Sequence, residues 1–277
     1  MRQISDILLR PALHLLRANL QNIGLIYDLT KRDLKLRYLG SYLGRYWNIV
    51  HPLAMISIYT VVFAVVLEAK IPGMANSSTF SFSVFLCAGL LPWNAFTETV
   101  LRGTNSYLEH GHLIKKVAFP IEILQSISTA SAGLTFWSSW LLYFGFLILS
   151  DFGIGWPMIL LPVIFFLQMM FALGLAYIFS VLNVFFRDIQ QLVNIIFQLW
   201  FWVTPIVYLK ENAPEELQFI FKFNPFFYFV RAYQDITVFK QWPSQGSWIA
   251  MGVIASVTFC LGASFVSFTK REIPDEV

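Results

Sequence analysis

The chain has 277 residues, of which 13% are charged and 57% are apolar. A soluble domain averages about 25% charged residues, so these proportions exclude an ordinary soluble domain, a disordered chain and a nucleic-acid-binding protein. The formal net charge of +3 by itself indicates no partner.

The first 48 residues hold eight of the Lys and Arg residues and no signal-type apolar core, so we expect no cleavable signal peptide. Apolar residues recur there at roughly helical spacing. This pattern predicts an amphipathic helix in the cytoplasmic membrane interface, and a soluble helix packed on a partner is the alternative. The residues are Leu25, Leu29, Leu36, Leu39, Leu43 and Tyr46.

Six segments of 18 or more residues contain no Asp, Glu, Lys or Arg: 46–67, 71–97, 123–150, 152–186, 189–209 and 241–269. About 20 helical residues cross the ~30 Å hydrocarbon core, and a helix satisfies its own backbone groups in lipid. We therefore predict an all-α integral membrane protein with six transmembrane helices. The predicted spans are Ile49–Leu67, Ser81–Thr99, Gln125–Leu149, Pro157–Leu182, Leu192–Tyr208 and Trp248–Thr269.

The whole chain, 1–277, is predicted to form a single transmembrane domain, because little sequence remains outside the spans. Residues 1–48 precede the six-span region 49–269, and 270–277 form a tail. Assigning the connecting segments to alternate sides places 14 Lys and Arg residues on the side of the termini and five on the other. The positive-inside rule then predicts that both termini are cytoplasmic.

Two connecting segments have a character of their own. The loop Gly103–Glu122 is basic and contains a short helix-compatible core, Tyr107–Val117, before Pro120. The segment from Asn212 to Asp235 is apolar and aromatic but is interrupted at Asn224-Pro225. Its halves are too short to span, so we predict a re-entrant helical hairpin; an amphipathic cap lying flat on the outer surface is the alternative.

No catalytic or metal site is predicted. No Lys is followed by Ser or Thr, as a nucleotide-binding P-loop requires. His110 and His112 are two residues apart and would not share a helix face. Glu98 and Arg102, four residues apart at the end of the second span, are interpreted as an interfacial ion pair rather than a proton relay.

Six motifs in this order and spacing resemble those of the membrane-spanning subunits of type-2 ABC exporters, especially the O-antigen and polysaccharide export permeases. The resemblance runs from about Asp28 to Thr269. The motifs are KRDLKLRYLGSYLGRYWNIVHPL (31–53), AGLLPWNAF (88–96), LIKKVAFP (113–120), LNVFFRDI (182–189), WVTPIVY (202–208) and FNPFFYFVRAYQD (223–235).

The resemblance implies a homodimer of this chain with two ATP-binding subunits, in the bacterial inner membrane. It implies no cofactor in this chain, because ATP and Mg would be bound by the partner. It also implies an undecaprenyl-diphosphate-linked glycan as the exported substrate. The function predicted is therefore the permease subunit of an ATP-driven polysaccharide exporter. A type-2 permease for another cargo (teichoic acid, capsule, lipid or drug) is the alternative; a membrane-embedded glycan-processing enzyme and a structural scaffold are less favoured.

Aromatic side chains suit a sliding glycan, because sugar rings stack on aromatic planes without strong directionality. We expect the first and fifth spans to form the main channel walls, although aromatic residues also face lipid or pack between helices. The predicted channel residues are Tyr59, Phe63, Phe197, Trp200, Phe201, Trp202 and Tyr208.

The resemblance places a coupling helix, which would contact the ATPase, at Tyr107–Lys116. Glu109, His112, Lys115 and Lys116 are its predicted contacts, and Lys115 and Lys116 could equally be topology anchors or bind anionic lipid. Arg187 and Asp188 in the next loop are also predicted to contact the ATPase; a local ion pair and helix cap is the alternative.

Lipid diphosphate could be bound at the interface helix, although orientation in the membrane explains its charges equally well. The residues concerned are Lys31, Arg32, Lys35 and Arg37.

Overall fold

The computed structural model describes residues 2–66, 80–115, 119–210 and 214–277. Helices joined by short turns make up these ranges, and no strand occurs within them, so the all-α fold class is confirmed for this part of the chain. Short 3-10 turns at Ile121–Ile123 and Trp156–Leu160 lead into α6 and α7, and π-helical turns extend α3 and α10. The helices are α1 Arg2–Gln21, α2 Ile23–Arg37, α3 Trp47–Tyr59, α4 Ser81–Glu109, α5 Gly111–Ile114, α6 Leu124–Leu149, α7 Leu161–Phe185, α8 Ile189–Val203, α9 Glu215–Phe223, α10 Phe227–Gln234, α11 Gln245–Thr269 and α12 Ile273–Glu276.

Four helical segments of the described chain are long and apolar enough to cross a membrane: Ser81–Glu109, Ile121–Leu149, Trp156–Phe185 and Gln245–Thr269. They coincide with the second, third, fourth and sixth predicted spans. The first and fifth predicted spans correspond to shorter apolar helices, Trp47–Phe63 and Ile189–Val203, and Leu67 lies outside the described residues. The count of six spans therefore stays a prediction.

The fifth predicted span is interrupted by a proline. α8 has 15 residues, which is about 22 Å of helix against the ~30 Å of a hydrocarbon core. It ends at Val203 because Thr204 adopts an extended backbone, with φ −98° and ψ 128°. Thr204 precedes Pro205, and the proline ring disfavours helical geometry in the residue before it. Residues 204–208, predicted as helix, thus form turns.

α4 is the centre of the bundle and is buried along most of its length between α6, α7, α8 and α10. On the far side of α7, α11 approaches so closely that a Cβ atom on Gly262 would lie 2.4 Å from the carbonyl oxygen of Gly174. Small residues permit such approach between membrane helices. These contacts fix α4, α7 and α11 as the rigid frame on which the shorter helices are placed.

The N-terminal helix α1 and the C-terminal helix α12 lie at the same end of the bundle, here called the terminal end. Ala12 and Leu15 of α1, Ile114 of α5 and Ile273 of α12 belong to one buried apolar cluster there. Residues 270–277, predicted as a cytoplasmic tail, pack against the bundle: Lys270 pairs with the buried Glu122, and Ile273 of α12 is buried. At the opposite, distal end, Lys240 donates to the Phe152 carbonyl over 2.6 Å.

Two local predictions differ from the structure. The amphipathic helix predicted through Tyr46 ends at Arg37, because the chain turns at Gly40 and Gly44, whose φ angles of +79° and +52° favour glycine. The predicted core Tyr107–Val117 is not one helix: α4 continues to Glu109, His110 forms a turn, and α5 has four residues. Lys116 and Val117 lie outside the described residues, as does Asn212 at the start of the predicted hairpin.

The two short helices predicted on either side of Asn224-Pro225 are present as α9 and α10. The turn between them packs deep against α4, where the Phe226 ring stacks on Phe96 with 4.3 Å between centroids. From there α10 and its π-turn lead to Lys240 at the distal end. The re-entry of this hairpin into a membrane stays a prediction.

Candidate functional site

An open groove of about 490 Å³ lies between α4 and α8 and combines aromatic rings with polar groups. α4 contributes Trp93, Thr97 and Leu101 to its lining. The residues that α8 contributes are Asn194, Phe197, Gln198, Phe201 and Trp202. The groove therefore contains three of the seven aromatic residues predicted to line a channel, Phe197, Phe201 and Trp202.

The sequence of α8 divides the helix into three faces. Val193 and Phe197 are buried against the bundle, and Leu192, Ile195, Ile196 and Leu199 form an exposed apolar face. The third face carries Gln190, Asn194 and Gln198, which recur every four residues and so line up along one side of a helix. Asn194 and Gln198 of this amide stripe lie within the predicted span Leu192–Tyr208, and both line the groove.

The exposed strip of α4 is polar as well. Asn94 is exposed and Thr97 is half-buried, whereas Trp93, Ala95 and Phe96 around them are buried. A second cavity of about 340 Å³ lies between α3, α4 and α6, and its lining includes His51, Asn94 and Glu98. The polar strip of α4 is therefore open towards α3 on one side and towards α8 on the other.

The predicted channel residues occupy different environments. Phe197 is only 3% exposed and Trp200 is half-buried; both rings pack against Trp93, with 6.0 Å between centroids in each pair. Trp202 is 66% exposed, and its carbonyl accepts a hydrogen bond of 2.9 Å from the hydroxyl of Tyr208.

Tyr59 and Phe63, predicted to line the same channel from the first span, lie elsewhere. Their ring centroids are 6.4 Å apart, and the Phe63 ring stacks on Phe82 in the first turn of α4. The structure thus brings Phe201, Trp202 and the largely buried Phe197 to the lining of the groove. It packs Trp200 behind that lining and leaves Tyr59 and Phe63 apart from it.

Asn224 fastens the hairpin turn to the end of α8 and was not singled out from the sequence. Its side-chain oxygen accepts from Trp200 Nε1 at 2.7 Å and from the Phe226 backbone N–H at 3.0 Å. Its side-chain nitrogen donates to Thr204 Oγ1 over 2.9 Å. Since Asn224 is 5% exposed, these bonds satisfy its polar atoms in an apolar surrounding. The Asn-Pro dipeptide marked a turn but gave no sign of this role.

A cluster of two carboxylates and two guanidinium groups joins α2 to α4. Arg37 lies 2.6 Å from a Glu98 carboxylate oxygen, and Arg102 lies 2.6 Å from Asp33. The Glu98–Arg102 pair predicted within α4 is present at 3.7 Å. Ser131 of α6 accepts from Arg37 and donates to Asp33, each over 2.7 Å. Five side chains of α2, α4 and α6 thus form one polar unit, here called the α2–α4 ion cluster.

Of the four residues predicted to bind a lipid diphosphate, one belongs to this cluster and three do not. Arg37 is half-buried within it, whereas Lys31, Arg32 and Lys35 are exposed on α2. Arg32 also contributes to a cavity of about 270 Å³ shared with Glu109 and His112. One predicted diphosphate residue and two predicted coupling residues therefore meet at the terminal end.

The remaining predicted coupling residues lie at the surface. Lys115 is exposed at the end of α5, and Arg187 and Asp188 are exposed at the turn between α7 and α8. Asp188 makes no side-chain cap to α8. Asn183 does so instead, because its side-chain oxygen accepts from the Gln190 backbone N–H at 3.1 Å.

Residues 25–238 of the chain match the ABC-2 type transporter family. The chain belongs to the ABC-2 type transporter family. It is the membrane subunit of a transporter, and the family implies an ATP-binding partner. Its apolar helices accordingly make it a multi-pass membrane protein.

Individual proteins are also similar along nearly their whole length. The chain is 28% identical over 271 residues to the O-antigen export system permease protein RfbA of Myxococcus xanthus, covering 96% of this chain and 100% of that protein. It is 31% identical over 225 residues to a Klebsiella pneumoniae protein of the same name, covering 78% of this chain and 82% of that protein.

Proposed function

We propose that the chain is the permease subunit of an ATP-driven exporter of a lipid-linked, O-antigen-like polysaccharide across the bacterial inner membrane. The observation that carries this proposal is the groove between α4, which is long enough to span a membrane, and the shorter apolar helix α8, where aromatic rings and amide groups lie side by side. Aromatic planes accept the C–H faces of sugars, and amides donate to and accept from their hydroxyl groups. The names of the similar proteins support the same cargo.

The polar strip of α4 supports a path formed by two copies of the chain. Polar side chains within the hydrocarbon region face protein or water-filled cavities rather than lipid. Thr97 on α4 and Asn194 and Gln198 on α8 line the groove, and Asn94 on α4 lines the adjoining cavity towards α3. A second copy covering these residues would enclose a passage with polar and aromatic walls.

Two features of the topology belong to this proposal. We take α3 with its π-turn, and α8 with the following residues to Tyr208, as the first and fifth of six spans. We also take α9 and α10 as a hairpin that enters from the distal side, which is supported by the contact of Phe226 with Phe96 and by Lys240 at the distal loop. With termini in the cytoplasm, the terminal end would face the ATP-binding subunits.

In this arrangement Glu109, His112, Lys115 and Lys116, with Arg187 and Asp188, contact the two ATP-binding subunits. Binding of the lipid diphosphate rests on Lys31, Arg32 and Lys35, because Arg37 already contacts two carboxylates. The α2–α4 ion cluster would then connect the surface that meets the ATPase to the helix that lines the path. ATP and Mg are bound by the partner, and this chain needs no cofactor.

The test is to delete the gene in its source organism and measure surface polysaccharide. We expect lipid-linked glycan to accumulate on the inner side and surface polysaccharide to disappear, and both to be restored by the intact gene. Purified with its ATPase, the chain should form a complex whose ATP turnover rises with lipid-linked glycan. Unchanged surface polysaccharide together with altered tolerance of drugs would instead favour a permease for another cargo.

A further inference from the structure

The first helix, α1, precedes the part of the chain that matches the family and carries an exposed apolar stripe. Leu9, Leu13, Leu16 and Leu20 are 46–68% exposed, although α1 also contributes Ala12 and Leu15 to a buried cluster. The match to the family begins at residue 25. The apolar pattern predicted from the sequence begins at Leu25 and does not include this stripe.

The residues of α1 fall into three sectors around the helix axis. With about 100° between successive residues, the four leucines lie within about 60° of one another. Arg10 and Arg17 occupy the sector on one side of them, and Ala12, Leu15 and Asn19 the sector on the other. The apolar stripe is therefore bordered by basic residues on one side and by the protein on the other.

The contacts of α1 place it across the terminal end of the bundle. Pro11, His14 and Leu15 line a small cavity with Val266 and Lys270, at the end of α11. Eight residues after Pro11, Asn19 lies 3.4 Å from the hydroxyl of Tyr177 on the neighbouring α7. α1 therefore crosses from α11 to α7. It does so near the end of α11, where the apolar sequence of that helix is followed by Lys270 and Arg271.

We propose that α1 is a second membrane-surface helix, whose leucine stripe inserts into the acyl layer of the adjacent lipid leaflet. The occupant is lipid for two reasons. The stripe lies at the depth where a spanning helix leaves the hydrocarbon core, and its basic border would be at the level of anionic headgroups, as in helices that lie in the membrane interface. A protein partner would not require basic residues along one edge of a leucine stripe. The inference does not depend on the exported cargo.

The test measures which medium surrounds each position of α1 in the full chain. Cys87 and Cys260 are replaced by alanine, and Leu9→Cys, Leu13→Cys, Leu16→Cys and Leu20→Cys are each labelled with a nitroxide. Arg17→Cys, exposed in the basic sector, is the matched control. The protein is assembled with its ATP-binding partner in vesicles of phosphatidylethanolamine and phosphatidylglycerol. Collision rates with oxygen, which concentrates in lipid, and with a water-soluble nickel chelate are then measured.

We expect the oxygen-to-nickel ratio at the four leucine positions to be severalfold higher than at Arg17→Cys. Nickel collision rates as high as at the control would mean that the stripe faces water and would overturn the proposal. Low collision rates with both reagents and an immobilised label would mean that protein, a second copy or the ATP-binding subunit, covers the stripe, which would also overturn it. Co-purification of each labelled variant with the ATP-binding subunit verifies its folding beforehand.

Discussion

Arg37 of α2 and Glu98 of α4 are joined by an ion pair in which a guanidinium nitrogen lies 2.6 Å from a carboxylate oxygen. Glu98 also lines the cavity between α3, α4 and α6. A single carboxylate thus connects the helix proposed to lie at the membrane surface with the polar strip of α4. Movement of α2 would change the position or the charge balance of that strip.

Breaking this pair should destabilise the protein and reduce transport. An exposed ion pair contributes less than about 1 kcal/mol, and removing one partner of a buried pair costs ~3–5 kcal/mol. Both side chains here are about a fifth to a quarter exposed, so Glu98→Ala should fall between these values. The measurement is the thermal unfolding midpoint in detergent, together with surface polysaccharide. Arg187→Ala, which removes an exposed charge at the same end, should leave the midpoint unchanged. Equal midpoints for the two variants would refute the structural role of the pair.

Removing two aromatic residues that line the groove, the half-buried Phe201 and the exposed Trp202, should weaken export. An aromatic contact contributes about 0.5–1.5 kcal/mol beyond its buried area. Phe201→Ala and Trp202→Ala should therefore each lower the rate of export severalfold, measured as surface polysaccharide at equal protein level. Leu199→Ala, on the exposed apolar face of the same helix, is the control. If Leu199→Ala impaired export as much as Trp202→Ala, the groove would not be the path.

Loss of the Asn224 side chain should be among the most damaging single changes near the hairpin. Asn224→Leu has similar volume but leaves Trp200 Nε1 and the Phe226 backbone N–H without their acceptor. A buried polar group left unsatisfied costs about 1–3 kcal/mol, so two should lower the unfolding midpoint clearly. The measurement is the same thermal scan, and Trp200 fluorescence should shift as the hairpin loosens. Asn94→Leu, at an exposed site on α4, should not lower the midpoint.

Two of the glycines of α11, Gly252 and Gly262, should respond oppositely to alanine. Gly262→Ala places a methyl group against the backbone of Gly174, whereas a Cβ on Gly252 meets nothing within 4 Å. We expect Gly262→Ala to separate α7 and α11 and lower both expression and the unfolding midpoint. Gly252→Ala should be neutral or slightly stabilising, because glycine within a helix costs roughly 0.5–1 kcal/mol relative to alanine. Similar behaviour of the two variants would contradict the close approach of α7 and α11.

The long helices could be predicted from the sequence because their signal is local. Charged residues mark the ends of each long apolar stretch, so the sequence itself indicates where the helix begins and ends. The helices predicted at Gln125–Leu149 and Trp248–Thr269 have observed boundaries that differ by at most three residues. The interruption after Asn224 was also visible, since a proline within an apolar segment is a local feature. Gly40 and Gly44, which end the amphipathic helix early, were present in the sequence but were outweighed by the leucine spacing.

The site was less predictable because it depends on which faces of the helices meet. The sequence did not distinguish among the seven aromatic residues predicted to line a channel. In the structure Phe197 is buried in the wall of the groove, whereas Trp202 is exposed in it. The amide stripe of α8, at Gln190, Asn194 and Gln198, has a four-residue period that is visible in the sequence, but the absence of charge in the same segment predicts only a span. The sequence could not show that Arg37 has a different role from Lys31 and Lys35, because its ion-pair partner Glu98 is distant in sequence.

The enclosure of α4 also limits how the protein could be changed to accept another cargo. Most positions on this helix touch a neighbouring helix, so a substitution there alters packing before it alters selectivity. Asn94 and Thr97 are among the few that do not carry this constraint. Engineering of cargo preference, and natural divergence among permeases with different glycans, should therefore concentrate on this short strip and on the facing side of α8, where variation costs little stability.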